Sequence, residues 1–356
     1  MTPLDPGDRP LPWDELERII RRDPLGRGVA SRLALDGDLA AAATSLADSA
    51  EVVGIVTGFC ILTDGGPVAE TDGPPGALFL ARALRSLGVE VLLLTDSLAM
   101  PALAAGCDYL GMPREILREI PFEPGTPEDM ARHSNDPPHN TATDRWVDGF
   151  LATEPGSRLT HLIATERAGP SHTPASVAAN PDAPDIIDAF LALVPAEEHN
   201  LCYNMRGENI NAHTAKAHRV FETIERRRLP IHTIGIGDGG NEIGMGKAPW
   251  NVLRESIAIG PGHRTACRIA TDWTIVAGVS DWGAMTLAAS VPYLRGARGP
   301  DLRGLVTHHE IAGLLGVLIH DGGCVDGVTK RPEPTVDSLA IDAYTRPIQQ
   351  VIETLG

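Results

Sequence analysis

The stretch PIHTIGIGDGGNEIGMG, residues 230–246, decides how this chain is read. Its first half is a short apolar run rich in β-branched residues and predicts a buried strand. Its second half packs six glycines into residues 235–246, around Asp238, Asn241 and Glu242. Gly235-x-Gly237-x-x-Gly240 has the spacing of a dinucleotide fingerprint, in which a strand leads directly to a helix whose N-terminus receives a pyrophosphate. Here the continuation NEIGMGKAPW is too glycine-rich to start a helix promptly, and Asp238 would lie beside the phosphates. The loop therefore predicts no NAD or flavin site. It reads instead as a cradle that brings the Gly239 and Gly240 N–H groups near a small charged ligand, while Asp238, Asn241 and Glu242 offer oxygens. Such oxygens suit Mg²⁺, Mn²⁺ or a substrate ammonium. The alternative is a turn whose Asp and Asn bond only their own backbone.

Working outward, the same alternation of strand and helix recurs. VVGIVTGFCI (52–61), VEVLLLTDS (89–97), LTHLIATERAG (159–169), PIHTIGIG (230–237) and TDWTIVAGVS (271–280) read as strands. PGALFLARALRSLG (75–88), SLAMPALAAG (97–106), HTAKAHRVFETIERRR (213–228) and WGAMTLAASVPYL (282–294) read as helices, with two more closing the chain in 305–320 and 338–355. This order predicts an α/β fold: a mainly parallel sheet with helices on both faces, a Rossmann-like layered architecture. We expect a single domain over residues 1–356, with a Pro/Ala-rich excursion at 170–200. A composition shift near residue 125 offers a second boundary.

The totals narrow the function. A formal charge of −17 argues against nucleic acid or an anionic membrane as partner, since both need clustered Lys and Arg. The densest basic run, Arg226-Arg227-Arg228, closes a predicted helix, where cations complement the helix dipole. Five cysteines, odd in number and never in a CxxC pair, argue against a disulfide framework or a structural zinc site. The N-terminus lacks a signal-peptide pattern and no uncharged apolar stretch nears a bilayer span, so a cytoplasmic protein is expected. No HExxH, GxSxG or Walker A pattern occurs.

In parallel sheets the ligand site forms where loops leave the carboxyl ends of the strands, and here those ends are acidic. ETDGPPGA (70–77) holds Glu70 and Asp72 just ahead of a helix. Asp72 has a structural role available as that helix's cap, whereas Glu70 has none. In TERAG, Glu166 and Arg167 read equally as a site or as a surface ion pair. In YNMRG, Arg206 offers a fork suited to a carboxylate.

Taken in order, TGF, ETDGPPGA, TERAG, YNMRG, GDGGNEIGMG, VAGVSDWGA and VDGVTKRPEPTVD resemble the D-glutamate cyclase-like C-terminal-domain family, over roughly residues 15–356. The resemblance implies a lyase that closes D-glutamate to 5-oxo-D-proline with loss of water. For that chemistry Glu242 or Glu70 would serve as base, with Asp238 as a further catalytic acid. The Gly239 and Gly240 N–H groups or a cation would receive the oxyanion. Arg206, Asn241, Asp72 and Glu166 would bind substrate, and Asp238 with Glu242 would hold a divalent cation. The alternatives carried forward are a metal-assisted hydrolase of a lactam or amide, and a non-catalytic amino-acid-binding module. The expected partner is a small acidic amino acid, and a homo-oligomer or a separate enzyme domain stays open.

Overall fold

The computed structural model describes residues 11–33, 35–122, 141–179 and 184–356. Its centre is a six-stranded, wholly parallel sheet built from β1 (Val52–Val56), β4 (Glu90–Thr95), β5 (Leu117–Glu119), β6 (His161–Thr165), β7 (His232–Gly237) and β8 (Trp273–Val276). Side by side they run β5-β4-β1-β6-β7-β8. Counted along the chain this is 3-2-1-4-5-6, the order of doubly wound dinucleotide-binding sheets. The remaining strands form two small antiparallel hairpins, β2 (Cys60–Thr63) with β3 (Gly66–Ala69) and β9 (Thr335–Val336) with β10 (Leu339–Ala340).

Alternation along each strand explains the continuous apolar runs. Val53, Ile55, Val91, Leu93 and Ile163 point into one apolar core, while Val52, Val56, Leu92, Leu94 and Leu162 point into a second on the opposite face. A strand buried on both faces must be apolar at every position. Helices α1 (Trp13–Ile20), α2 (Asp38–Ser49), α3 (Pro74–Ser86), α4 (Met100–Tyr109), α8 (Ser280–Leu294), α9 (His308–His320) and α10 (Ile341–Leu355) supply the first core. Helices α5 (Ala142–Ala152), α6 (Pro184–Leu193) and α7 (His218–Arg227) cover the second.

Several boundaries differ from the sequence reading. The run 52–61 is not one strand: β1 stops at Val56, and Cys60 opens the β2–β3 hairpin that carries the chain back to Glu70. The strand 159–169 ends at Thr165, because Glu166 turns to φ 43°, a left-handed conformation that no strand continues through. The excursion packs against the body through Val177, Phe190 and Val194, with Phe190 edge-on to Trp250. The boundary expected near residue 125 lies outside the described residues. One stretch, Pro300–His320, does reach the length and mean hydropathy of a bilayer span. A turn interrupts it after Arg303, and Leu302, Val306, Ile311, Leu314, Leu315 and Leu318 are buried in the first core, so it behaves as a core segment.

Candidate active site

The sheet order reverses between β1 and β6, so the chains leaving these two strands part and a crevice opens at their carboxyl ends. A cleft of about 240 Å³ lies there. Glu70, Glu166, Asp238 and Asn241, all buried, line its inner part, and Arg27, Asn204, Arg206 and Lys330 approach from around it.

The glycine loop after β7 does not face this cleft with its N–H groups. The Glu242 carboxylate turns back on its own loop and accepts hydrogen bonds from Gly239 N (2.7 Å) and Gly240 N (2.8 Å). The donors expected to receive an oxyanion or phosphate are thus engaged by a carboxylate of the same loop. Close packing accounts for other glycines: a Cβ on Gly235 would lie 2.4 Å from the Gly244 Cα, so the loop crosses back directly over β7. Glu242 is therefore a brace rather than an open ligand, and burial alone holds its carboxyl above the usual range, with those N–H groups pulling the other way.

Asp238 and Asn241 behave differently, and both line the cleft. Asp238 accepts from Ser280 N (3.0 Å) and pairs with Arg27 (2.7 Å). The amide of Asn241 donates to the Tyr203 carbonyl (2.8 Å), while its buried Oδ1 has no hydrogen-bond partner among the described residues. An orphaned buried acceptor costs about 1–3 kcal/mol, which a ligand ammonium would recover.

The ends of α3 and α8 fix the acids by exchanging caps. Asp281, in the first turn of α8, accepts from Gly73 N (3.0 Å) and Gly76 N (2.7 Å) at the start of α3. Asp72, just before α3, accepts from Ser280 N and Asp281 N (both 3.1 Å) at the start of α8. Each helix dipole is thus met by a carboxylate from the other helix. Asp72 is a cap, but chiefly of α8 rather than of its own helix as expected. Ser280 also donates through its hydroxyl to Glu166.

Glu166 and Arg167 are neither a surface pair nor partners. Glu166 joins the acid cluster, whereas Arg167 points away to Asp96 (2.6 Å) and to the carbonyls of Gly58 and Ala215. Arg206 is exposed at the mouth and donates to the Val328 carbonyl (2.9 Å), clasping the loop 325–338.

Glu70 stands apart. Its carboxyl lies against Gly327, where a Cβ would come within 1.6 Å of Oε1, and it makes no hydrogen bond or ion pair among the described residues. Burial, then the charges of Asp337 and Asp72, push its pKa well above the ordinary carboxylate value. Burial also leads the upward shifts of Glu166, with Asp238 and Glu242 adding, and of Asp72, with Asp281 and Asp337 adding. For Asp238 burial again raises the pKa, while Arg27 opposes it. Burial and mutual repulsion thus hold protons on this cluster above the ordinary carboxylate range.

The residues not singled out from sequence are Arg27, Asp281, Asp337, Asn204 and Lys330. Arg27 is buried, and bonds Asp337 (2.6 Å) as well as Asp238. Asp281 and Asp337 lie in VAGVSDWGA and VDGVTKRPEPTVD, so their strings were visible but their directions were not. Arg27, in DPLGRGVA, carried no local signal.

Of the metal-ligand pair expected at Asp238 and Glu242, the Glu242 carboxylate is turned onto the backbone of its own loop. Oxygens of Asp72, Glu166 and Asp238 do converge, within 4.8 Å of one another. Three hard oxygens are the donor set that Mg²⁺ or Mn²⁺ takes.

The family model described as D-glutamate cyclase-like, C-terminal matches residues 16–180 and 177–352, the two segments meeting within the excursion. The human protein D-glutamate cyclase, mitochondrial, is 30% identical over 303 residues, covering 80% of this chain. The match takes in only 41% of that relative, so the chain spans about two fifths of its length. With the family model running through both halves of the sheet and every acidic strand end, the chain belongs to the D-glutamate cyclase-like C-terminal family.

Proposed function

We propose that the cleft closes an acidic amino acid to a lactam, with D-glutamate giving 5-oxo-D-proline and water as the reaction its family and human relative point to. The observation that carries this reading is the unpaired, buried Glu70 carboxyl beside Asp238 and Glu166. Lactam closure moves two protons from the substrate ammonium to the departing oxygen. It therefore needs a carboxyl that can accept and release a proton near neutral pH, which the raised pKa of Glu70 supports.

The other roles follow from position. Asp238, Glu166 and the orphaned Asn241 Oδ1 surround the substrate ammonium. Arg206 and Lys330 face the α-carboxylate from the mouth. Arg27 pairs with Asp238 and opposes the effect of burial on its carboxyl, whereas Glu70 has no such partner among the described residues. Glu242 is withdrawn from the base role and kept as the brace of its loop. A divalent cation, if used, would be held by Asp72, Glu166 and Asp238, and would neutralise the side-chain carboxylate and polarise its carbonyl.

The test is NMR of the purified protein with D- and L-glutamate, before and after EDTA and with Mn²⁺ or Mg²⁺ restored. Formation of 5-oxoproline from one enantiomer is the expected result, and the EDTA arm decides the metal. No product in any arm, with the protein folded, removes the reading.

A further inference from the structure

Beyond its acids, the cleft has an apolar wall that the proposed reaction on free glutamate does not use. Leu25, Phe59, Ile61, Ile259 and Val328 line it. Phe59 and Ile61 are buried, but Ile259 and Val328 are 47% and 36% exposed. Apolar side chains around a few converging polar groups are the usual lining of a small-molecule pocket. Free glutamate is charged at all three polar groups and has two methylenes between its carboxyl ends. It satisfies the acids and cations and leaves this wall in water.

Charge adds a second reason. A second carboxylate would be brought against Glu70, Glu166 and Asp238, whereas a neutral amide at that position would not.

We propose that the substrate is an acidic amino acid whose side-chain carboxyl carries an apolar amine, a γ-amide, and that this amine leaves instead of water. The proposal rests on the lactam-forming reading above. The α-nitrogen attacks the γ-carbonyl carbon and forms the ring C–N bond, while the bond from that carbon to the amide nitrogen breaks. The substrate ammonium gives up two protons and the departing nitrogen takes two, leaving as an alkylammonium ion. Atoms and charge balance with no co-reactant. The apolar wall holds the alkyl group.

The experiment follows 5-oxoproline and free amine by NMR, using D- and L-glutamate and their γ-n-butylamides as the four substrates. The expected result is kcat/KM for one butylamide about tenfold or more above that for the free acid. Ile259→Ser should then shrink that ratio about tenfold, the lower end of what one methylene-sized contact is worth. Cyclisation of free glutamate with kcat/KM equal to or above that of both amides overturns the proposal and leaves the lactam-forming reading intact. Absence of 5-oxoproline from all four overturns both.

Discussion

The turn Glu70–Gly73 and the loop Asp238–Glu242 each bury two carboxylates beside the same cleft. In both, one acid accepts from backbone N–H groups: Asp72 caps the start of α8, and Glu242 braces its own loop. In both, the other acid faces the cleft. The difference lies in what meets it. Asp238 has the Arg27 guanidinium at 2.7 Å, and Glu70 has no partner among the described residues. Burial raises the pKa of both acids, but a cation opposes it at close range only for Asp238, and environments that differ in this way are how one site separates an acid from a base.

The largest expected effect tests the unpartnered member. Glu70→Gln keeps the shape and removes the titrating group, so turnover should fall about 10²–10⁴-fold while the fold is retained. The NMR assay and a thermal melt read the two quantities separately. Undiminished turnover would mean that the proton moves elsewhere. Next, Arg27→Ala strips the cation from Asp238 and Asp337 together. Removing one side of a buried ion pair costs about 3–5 kcal/mol, to be read by denaturant titration. A loss below 1 kcal/mol would show that these acids are already neutral and that the contrast drawn here is false.

Glu242→Leu comes third, and separates brace from base. Losing the carboxylate leaves the Gly239 and Gly240 N–H groups buried without an acceptor, a cost of about 2–6 kcal/mol at the usual penalty per orphaned group. Glu242→Gln keeps an acceptor and should retain most turnover. If Glu242→Gln instead abolishes turnover without changing stability, the loop is catalytic after all.

How far all this was legible depends on whether the information was local. Strands buried on both faces read as unbroken apolar runs, so the parallel sheet and its acidic ends could be found from the chain alone. Convergence could not. Arg27 reaches Asp337 across 310 positions of sequence, and nothing in DPLGRGVA announces it. Direction was equally hidden: Glu242 and Asp238 are alike as letters, but one carboxylate turns into its loop and the other out of it. Asp72 was legible as a cap and illegible as the cap of a helix two hundred residues away.

The unpartnered state of Glu70 also has a pH signature. Its folded pKa is raised above the ordinary 4.5, so between those values the unfolded chain has lost the proton and the folded one has kept it. The stability this group contributes is complete below pH 4.5 and declines as pH rises towards the folded pKa, by up to about 1.4 kcal/mol for each pH unit. Other groups titrate in the same range, including His161, lowered by burial to about 4, whose effect has the opposite sign. Comparing wild type with Glu70→Gln cancels them. The Tm advantage of the variant should widen as pH rises above 4.5, and a constant difference would place a hidden partner on Glu70.

The smallest effect is expected where the two regions meet. The Ser280 N–H is shared between Asp72 Oδ2 and Asp238 Oδ2, and its hydroxyl donates to Glu166. Ser280→Ala keeps the shared N–H and removes only the hydroxyl, so it isolates Glu166 from the capping network. The loss should be about 1 kcal/mol, the net worth of one intramolecular hydrogen bond. Glu166 would then resemble Glu70, a buried acid with one donor fewer, and its proton would be held more tightly. Stability in the variant should accordingly fall more steeply with rising pH than in wild type. If both the loss and the steeper slope are missing, the Ser280 hydroxyl does not hold the Glu166 carboxylate, and Glu166 joins Glu70 as an acid without a working donor.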